Sequence, residues 1–271
     1  MNTPAILTAI AGFTIVLTTI IMYFRTIPRG TVPKKVGGLA TKLLIGVGLS
    51  LVGAYLGLTG EGSAGALTYV PAGLGVFLGG FILWILPQRK TPLGEIKVAQ
   101  GDKLLPFTST TSQSAPFDSA ELSGKRTLLK FFRGGWCPYC SAELVAFDGM
   151  KAELARYGVS LLALSKDTPE QAAIHKSRDG ISIELLSDVD LKVIRAYGVE
   201  HHKALGQTKN PKFNIGGVPL GLAPLSFQAM AIPTTLLIDE NGTIRWIDQT
   251  DDYRLRSNNE RVLNAVKAAF G

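Results

Sequence analysis

Three long stretches without a charged side chain lie in the first ninety residues, and they constrain the fold more than any other feature. The first runs from Ala5 to Phe24, the second lies between Lys42 and Glu61, and the third ends before Arg89. At ~1.5 Å per residue, a helix of this length covers the ~30 Å hydrocarbon core of a bilayer. The sequence therefore predicts an all-α membrane region over residues 1–90, with transmembrane helices at about 5–24, 43–60 and 64–86.

The positive charges beside these stretches predict a multi-pass topology. The loop from Arg25 to Lys42 holds five Lys or Arg residues, whereas the loop around Glu61 holds none. Because cytoplasmic loops carry an excess of Lys and Arg, we expect an outside amino terminus and a cytoplasmic carboxy-terminal half. The alternative is that one Gly-rich stretch forms a hairpin that does not cross, which would place that half outside. A cleaved signal peptide is not expected, because the basic residues follow the first apolar run instead of preceding it.

Glycines four residues apart occur in both later stretches, at Gly53 and Gly57 and at Gly75 and Gly79. Such spacing lets two membrane helices approach closely. The partner is either another helix of this chain or a second copy, in which case the chain forms a homo-oligomer.

The net charge of +7 belongs mostly to the membrane region. Residues 1–97 hold eight Lys and Arg against two Asp and Glu, while residues 98–271 hold twenty against nineteen. A nucleic-acid-binding domain would need a basic stripe, which the second half lacks, so we expect no nucleic-acid partner.

After a linker over residues 91–97, residues 98–271 alternate between strand and helix patterns, which predicts an α/β domain. The predicted elements are strands at Thr127–Phe132 and Val159–Ser165, a helix at Ser141–Tyr157, a helix capped by Thr168, a hairpin over Thr234–Ile247 turning at Asn241-Gly242, and a terminal helix at Ser257–Phe270. The segment from Glu200 to Met230 shows no clear pattern, and it reads as a lid, a binding loop or a membrane-facing patch.

The two cysteines of the chain, Cys137 and Cys140, lie between a predicted strand and a predicted helix. This position puts Cys137 at the N-cap and Pro138 in the first helical turn. The helix dipole and the free N–H groups there favour a thiolate on Cys137. Because residues i and i+3 share one helix face, the pair can also close a disulfide.

A zinc site would need two further ligands, and the only histidines are His175, His201 and His202, the last two adjacent. Another alternative is that the two cysteines are a buried structural pair with no redox function. We expect neither a metal nor another cofactor, and we expect His201 and His202 at the surface.

Several motifs of residues 98–271 resemble the thioredoxin superfamily, and in particular peroxiredoxin-like (AhpC/TSA-type) redoxins with a Cys-x-x-Cys pair. They are Leu105-Pro106-Phe107, Phe131-Phe132-Arg133-Gly134-Gly135-Trp136-Cys137-Pro138-Tyr139-Cys140, Leu164 to Glu170, Leu186 to Val199, and Ile232-Pro233-Thr234-Thr235. The resemblance implies a thioredoxin-like fold, with a mixed sheet flanked by helices, and an antioxidant oxidoreductase activity.

The resemblance leaves two chemistries open. In peroxiredoxins one cysteine, matched here by Cys140, reduces peroxides beside a threonine and a strand arginine. Cys137 replaces that threonine and Pro233 replaces that arginine, so peroxide reduction needs Arg133 or Arg195 as a substitute.

The resemblance to thioredoxin implies instead that Cys137 attacks a disulfide, Cys140 resolves it and Pro233, in a cis peptide bond, faces them. Trp136 precedes the pair, as that motif requires. The buried thioredoxin acid falls at Phe131, and Glu143 is the candidate replacement, unless it is a solvated carboxylate on the helix surface.

The favoured prediction is a membrane-anchored thiol–disulfide oxidoreductase with Cys137 attacking. A thiol peroxidase with Cys140 peroxidatic and Cys137 resolving is the alternative, and a membrane redox sensor is a third. The expected partners are a protein disulfide or a peroxide as substrate, a thiol reductant and the lipid bilayer.

Overall fold

The computed structural model describes residues 1–93, 95–221 and 223–271. Gly94, in the predicted linker, and Leu222, in the segment without a clear pattern, lie outside the described residues. The chain divides into two compact units, Met1–Arg89 and Lys90–Gly271.

The first unit consists of three helices joined by short loops. They are α1 (Thr3–Thr26), α2 (Gly37–Thr59) and α3 (Ala66–Ile85), followed by a 3₁₀ turn at Leu86–Arg89. Among the described residues, three helices have the length and hydropathy needed to cross a membrane: Thr3–Thr26, Gly37–Thr59 and Ala66–Arg89. The Asn2 side chain begins α1 by accepting a hydrogen bond from the Ala5 amide, a usual N-cap contact.

The spaced glycines pack against other helices of the same chain. A Cβ on Gly53 would lie 2.5 Å from the Ala9 backbone nitrogen, and one on Gly79 would lie 2.5 Å from Val47. Gly57 and Gly75 likewise face neighbouring residues within this unit. These glycines therefore serve helix–helix contacts inside the chain, which is the first of the two predicted uses of this spacing.

The second unit is built on a seven-stranded mixed sheet with the order β11-β10-β3-β4-β5-β1-β2. The strands β3, β4 and β5 are parallel, and β10, β11, β1 and β2 join antiparallel. The elements in chain order are β1 (Thr108–Thr111), β2 (Pro116–Asp118), β3 (Arg126–Phe131), α4 (Pro138–Gly149), α5 (Lys151–Ala155), β4 (Val159–Ser165), α6 (Pro169–Asp179), β5 (Glu184–Ser187), α7 (Lys192–Ala196), β6 (Glu200–Gln207), β7 (Phe213–Ile215), β8 (Val218–Leu220), β9 (Leu225–Ala231), β10 (Thr234–Ile238), β11 (Ile244–Gln249) and α8 (Asn259–Phe270).

The alternation of side chains along β3 creates two cores, one on each face of the sheet. Leu128 belongs to the core that α4 and α8 cover, whereas Leu129 and Phe131 belong to the core that α7 covers. A mixed sheet with helices on both faces confirms the predicted α/β, thioredoxin-like fold. The predicted strands and the β10–β11 hairpin are also confirmed, as is the helix capped by Thr168, whose hydroxyl accepts from Gln171.

Two predicted elements differ in the structure. The helix expected over Ser141–Tyr157 begins earlier, at Pro138, and is divided into α4 and α5. The division falls at Gly149 and Met150, where glycine has a low helix propensity.

The segment from Glu200 to Met230, which shows no clear pattern in the sequence, contains regular strands in the structure. It holds an antiparallel ribbon of β6 and β9 and a hairpin of β7 and β8. Its pattern was missed because large apolar side chains of this segment, such as Phe213 and Ile215, point outward rather than into a core.

Candidate active site

The junction between β3 and α4 carries both cysteines. Cys137 is the N-cap residue of α4 and Pro138 occupies its first turn, as predicted. The preceding turn is held by the Gly135 amide, which donates to Asp167 Oδ2 at 2.8 Å. Only glycine fits at position 135, since a Cβ there would lie 2.8 Å from the Cβ of His175. The turn is thus fixed to the sheet end before the helix begins.

Both cysteines are free thiols, and both are fully buried in the core under α4. The Arg256 guanidinium, from the segment between β11 and α8, reaches both of them. Its Nη2 lies 3.3 Å from Cys140 Sγ and 3.9 Å from Cys137 Sγ. The cation is therefore closer to the second cysteine than to the first.

The pKa values of the two thiols move in opposite directions. Burial raises the pKa of Cys137, and its hydrogen bond with Cys140 raises it further. Burial also acts to raise the pKa of Cys140, but the hydrogen bond from Cys137 and the charges of Arg256 and Arg133 outweigh it, so that pKa is well below its ordinary value. The structure thus favours a thiolate on Cys140 rather than the one expected on Cys137, because the Cys137 thiol hydrogen-bonds to Cys140 and Arg256 lies closer to Cys140.

Glu143 lies in a buried ion-pair chain rather than on a solvated helix surface. Its side chain is 2% exposed and accepts from Lys130 Nζ at 2.7 Å and from Arg256 Nη1 at 3.1 Å. Lys130 is equally buried and also donates to the Thr235 hydroxyl at 3.0 Å. Because its carboxylate pairs with both cations, Glu143 orients Arg256 towards the thiols and is not an isolated proton acceptor.

A second buried cation near the cysteines is Arg133. Its guanidinium lies 3.8 Å from the ring centre of Tyr253 and 4.9 Å from that of Trp136. It also donates to the Leu205 carbonyl at 2.6 Å. Trp136 thus packs on a buried cation beside the pair. Arg195, the other arginine considered from sequence, pairs with Glu200 instead.

Pro233 does not present a docking strand. Among the described residues no peptide bond is cis, so the expectation of a cis Ile232–Pro233 bond is wrong. The Ile232 amide donates to the Val199 carbonyl at 2.7 Å, and its own carbonyl accepts from the Thr234 hydroxyl at 3.0 Å. Both backbone groups that a client strand would use are therefore occupied, because the chain runs directly from β9 into β10.

The histidines form no metal cluster. Within residues 1–93, 95–221 and 223–271, no group of three His, Cys, Asp or Glu side chains could hold a metal ion. His202 is exposed, as expected, but His201 is half-buried, and burial together with the Arg133 charge lowers its pKa to about 4.

Sequence reasoning missed Arg256 and Lys130. Lys130 could have been noticed, because it is a lone charge within the apolar strand Thr127–Phe132. Arg256 had no comparable signal, since it lies 116 residues from Cys140 in a segment between two elements.

A thioredoxin-like domain with two free cysteines at a strand–helix junction is the class that the fold and this site define. The chain belongs to the AhpC/TSA family, whose sequence profile matches residues 100–247. Peroxiredoxin Bcp of Escherichia coli is 26% identical over 168 residues, which are 62% of this chain and 94% of that protein.

Solved structures of similar proteins include peroxidoxin BcpB from Mycobacterium tuberculosis, with 19% identity and a TM-score of 0.48 over 62% of this chain and 96% of that one. A thiol peroxidase from Chromobacterium violaceum has 16% identity and a TM-score of 0.49 over 66% of this chain and 92% of its own.

Proposed function

We propose that the chain is a membrane-anchored thiol peroxidase in which Cys140 is the peroxidatic cysteine and Cys137 the resolving one. The observation that carries this proposal is the contact of Arg256 with Cys140 at 3.3 Å, together with the lowered pKa of that thiol. The family and the named activity of relatives such as peroxiredoxin Bcp support it.

In the proposed reaction the Cys140 thiolate attacks one peroxide oxygen and donates an electron pair to it. The O–O bond breaks, the leaving oxygen takes up a proton from water and departs as water or alcohol, and Cys140 becomes a sulfenic acid. Arg256 stabilises the charge that develops on the leaving oxygen, since its guanidinium is already held beside the sulfur by Glu143.

Cys137 completes the cycle. Its sulfur attacks the Cys140 sulfenic acid, water leaves, and a disulfide joins the two residues. A dithiol reductant then returns both sulfurs to thiols by exchange. The hydrogen bond between the two side chains places the resolving sulfur next to the reacting one.

Thiol–disulfide exchange with Cys137 attacking is the competing function. Its support is the N-cap position of Cys137 on α4. The raised pKa of that thiol and the occupied backbone of Ile232 favour the peroxidase instead.

Turnover separates the two functions. Hydrogen peroxide consumption and insulin reduction are measured for the full chain, for Cys137→Ser and for Cys140→Ser, with the same dithiol reductant. The proposal predicts rapid peroxide consumption that Cys140→Ser abolishes. Cys137→Ser should retain one rapid turnover. Fast insulin reduction that Cys137→Ser abolishes, with a trapped Cys137–insulin mixed disulfide in Cys140→Ser and slow peroxide consumption, would contradict it.

We also propose that α1, α2 and α3 anchor the chain in a membrane with the redox domain on the cytoplasmic side. The five Lys and Arg residues between the first two helices support this orientation. In the cytoplasm the thiol pools keep the resting cysteines reduced and supply the reductant.

Because both native cysteines are buried, the orientation is best read from introduced ones in a Cys137→Ser, Cys140→Ser background. One introduced cysteine, Asn241→Cys, replaces an exposed residue in a turn of the redox domain. The other, Ser63→Cys, replaces an exposed residue in the loop between α2 and α3. A membrane-impermeant maleimide should label only Ser63→Cys in intact cells. Labelling of Asn241→Cys before permeabilisation would reverse the orientation.

A further inference from the structure

Several large apolar side chains lie exposed on the redox domain. Phe213 is 62% exposed and Ile215 is 66% exposed, and three further side chains of the same segment are exposed above a third. We call these five the apolar rim: Phe213, Ile215, Leu220, Leu225 and Phe227.

The β7–β8 hairpin is anchored in an unusual way, with polar groups inward. Asn214 points to the domain and donates to Asp179 Oδ1 at 2.9 Å, and Arg178 donates to the Pro211 carbonyl at 3.1 Å. Alternation along β7 therefore sends Phe213 and Ile215 outward. Phe213 pairs with Leu220 across the hairpin. Gln207 Nε2, on β6, donates a hydrogen bond to the Gly221 carbonyl just after β8 and so connects the hairpin to the β6–β9 ribbon. The exposed apolar groups are thus held in place by the fold.

The charged residues of the segment that carries the apolar rim are all lysines. From His201 to Ile238 the sequence contains no Asp or Glu, but it contains three lysines, Lys203, Lys209 and Lys212. All three lysines are exposed. A segment that combines exposed apolar side chains with exposed lysines and no carboxylate matches the boundary between acyl chains and anionic headgroups, where burial and electrostatic attraction add.

We propose that the apolar rim docks into the headgroup–acyl boundary of the membrane that anchors the chain, with the three lysines on anionic lipid headgroups. The proposal rests on the proposed membrane anchoring. Only four residues, Leu86–Arg89, separate the end of α3 from Lys90, so a bilayer spanned by α3 is within reach of the domain. A monomeric soluble surface seldom exposes such a patch without a partner.

The test places a fluorescent reporter in the rim of the full chain. Ile215→Cys is made in the Cys137→Ser, Cys140→Ser background, labelled with NBD and reconstituted in nanodiscs of phosphatidylcholine with phosphatidylglycerol. The matched control is Asn241→Cys, at the exposed turn of another hairpin of the same domain. Quenching by a lipid with a shallow nitroxide and by aqueous iodide is measured for both labels.

The expected result is lipid quenching of the Ile215→Cys label at least about twofold above the control, with weaker iodide quenching. Replacing Lys203, Lys209 and Lys212 by Gln, or omitting phosphatidylglycerol, should reduce the lipid quenching. A label that iodide reaches as easily as the control would overturn the docking. Protection from iodide without lipid quenching would also overturn it, and would assign the rim to a protein partner such as a second copy.

Co-elution of the chain with the nanodiscs distinguishes a failure of membrane anchoring from a failure of docking by the apolar rim. If the chain co-elutes after a high-salt wash but the label stays unquenched, anchoring stands and docking fails. If the chain does not co-elute, the anchoring fails and the docking that rests on it fails as well.

Discussion

Arg256 supplies the charge that a reactive Cys140 needs, although it comes from a segment outside the sheet. Its side chain is 8% exposed and pairs with Glu143, which in turn pairs with Lys130. The cation pairs with both the thiolate and the carboxylate, whose charges raise its pKa above the ordinary value despite burial, so it stays protonated at every pH of interest. In the proposed reaction Arg256 takes the role of the strand arginine, whose position the resemblance to peroxiredoxins assigns to Pro233.

Arg256→Gln should therefore slow the peroxide reaction of Cys140 at neutral pH by about 10²-fold, because one preorganised donor to the reacting atoms is lost. Stopped-flow mixing of the reduced chain with hydrogen peroxide measures the rate constant. Arg195→Gln is the matched control, since the Arg195 side chain pairs with Glu200 and donates to the Asp190 carbonyl, and it should react like the wild type. An unchanged rate in Arg256→Gln would remove this arginine from the mechanism.

His201 makes the stability of the domain depend on pH. Burial and the Arg133 charge lower its pKa from 6.5 to about 4, so the unfolded chain binds the proton more readily than the folded one. Stability should therefore fall as the pH drops from about 6.5 to about 4, and this contribution should stop changing below that range. Urea denaturation of the full chain in detergent at several pH values measures it.

His201→Gln should flatten that pH dependence. His202→Gln is the control, because His202 is exposed on the same strand. An equal slope in the wild type and in His201→Gln would show that another group causes the change.

At the scale of elements, local signals decided what could be predicted. The turn between β3 and α4 was predicted because a cysteine cap and a proline follow an apolar strand, and α6 because Thr168 and Pro169 begin it. The β6–β9 ribbon and the β7–β8 hairpin had no such signal, because their outward apolar residues break the usual link between hydrophobicity and burial. Arg256 could not be predicted either, since its approach to Cys140 depends on the tertiary fold.

The ribbon supports the site through a contact that leaves no room for a side chain. A Cβ on Gly206 would lie 2.6 Å from Trp136 Cζ2 and 2.7 Å from Met230 Cε. Gly206→Ala should lower the free energy of unfolding by about 1–3 kcal/mol, because it forces Trp136 and the strand apart. Chemical denaturation checks this value.

Gly149→Ala is the control for that substitution. No atom lies within 4 Å of a Cβ built there, at the end of α4. Since alanine is the better helix former, this variant should be as stable as the wild type or up to about 1 kcal/mol more stable. Equal destabilisation by both substitutions would remove the packing argument.

At the scale of the whole molecule, a redox domain follows three helices that contain no cysteine. Both cysteines lie in the second unit, so the proposed thiol chemistry belongs to that unit. The three long apolar runs predicted the all-α first unit. The alternation of strand and helix patterns, together with the motifs around the cysteines, predicted the α/β second unit. The roles proposed for the two cysteines needed the structure, because burial, the hydrogen bond between the two thiols and the charge of Arg256, 116 residues from Cys140, shift their pKa values.

The central claim is that Cys140 is the sulfur that peroxide oxidises. One equivalent of hydrogen peroxide is added to reduced Cys137→Ser and to reduced Cys140→Ser in the presence of dimedone, and peptide mass spectrometry locates the adduct. We expect rapid labelling of Cys140 in Cys137→Ser and little labelling of Cys137 in Cys140→Ser. Rapid sulfenic acid formation on Cys137, with Cys140 remaining a thiol, would contradict it.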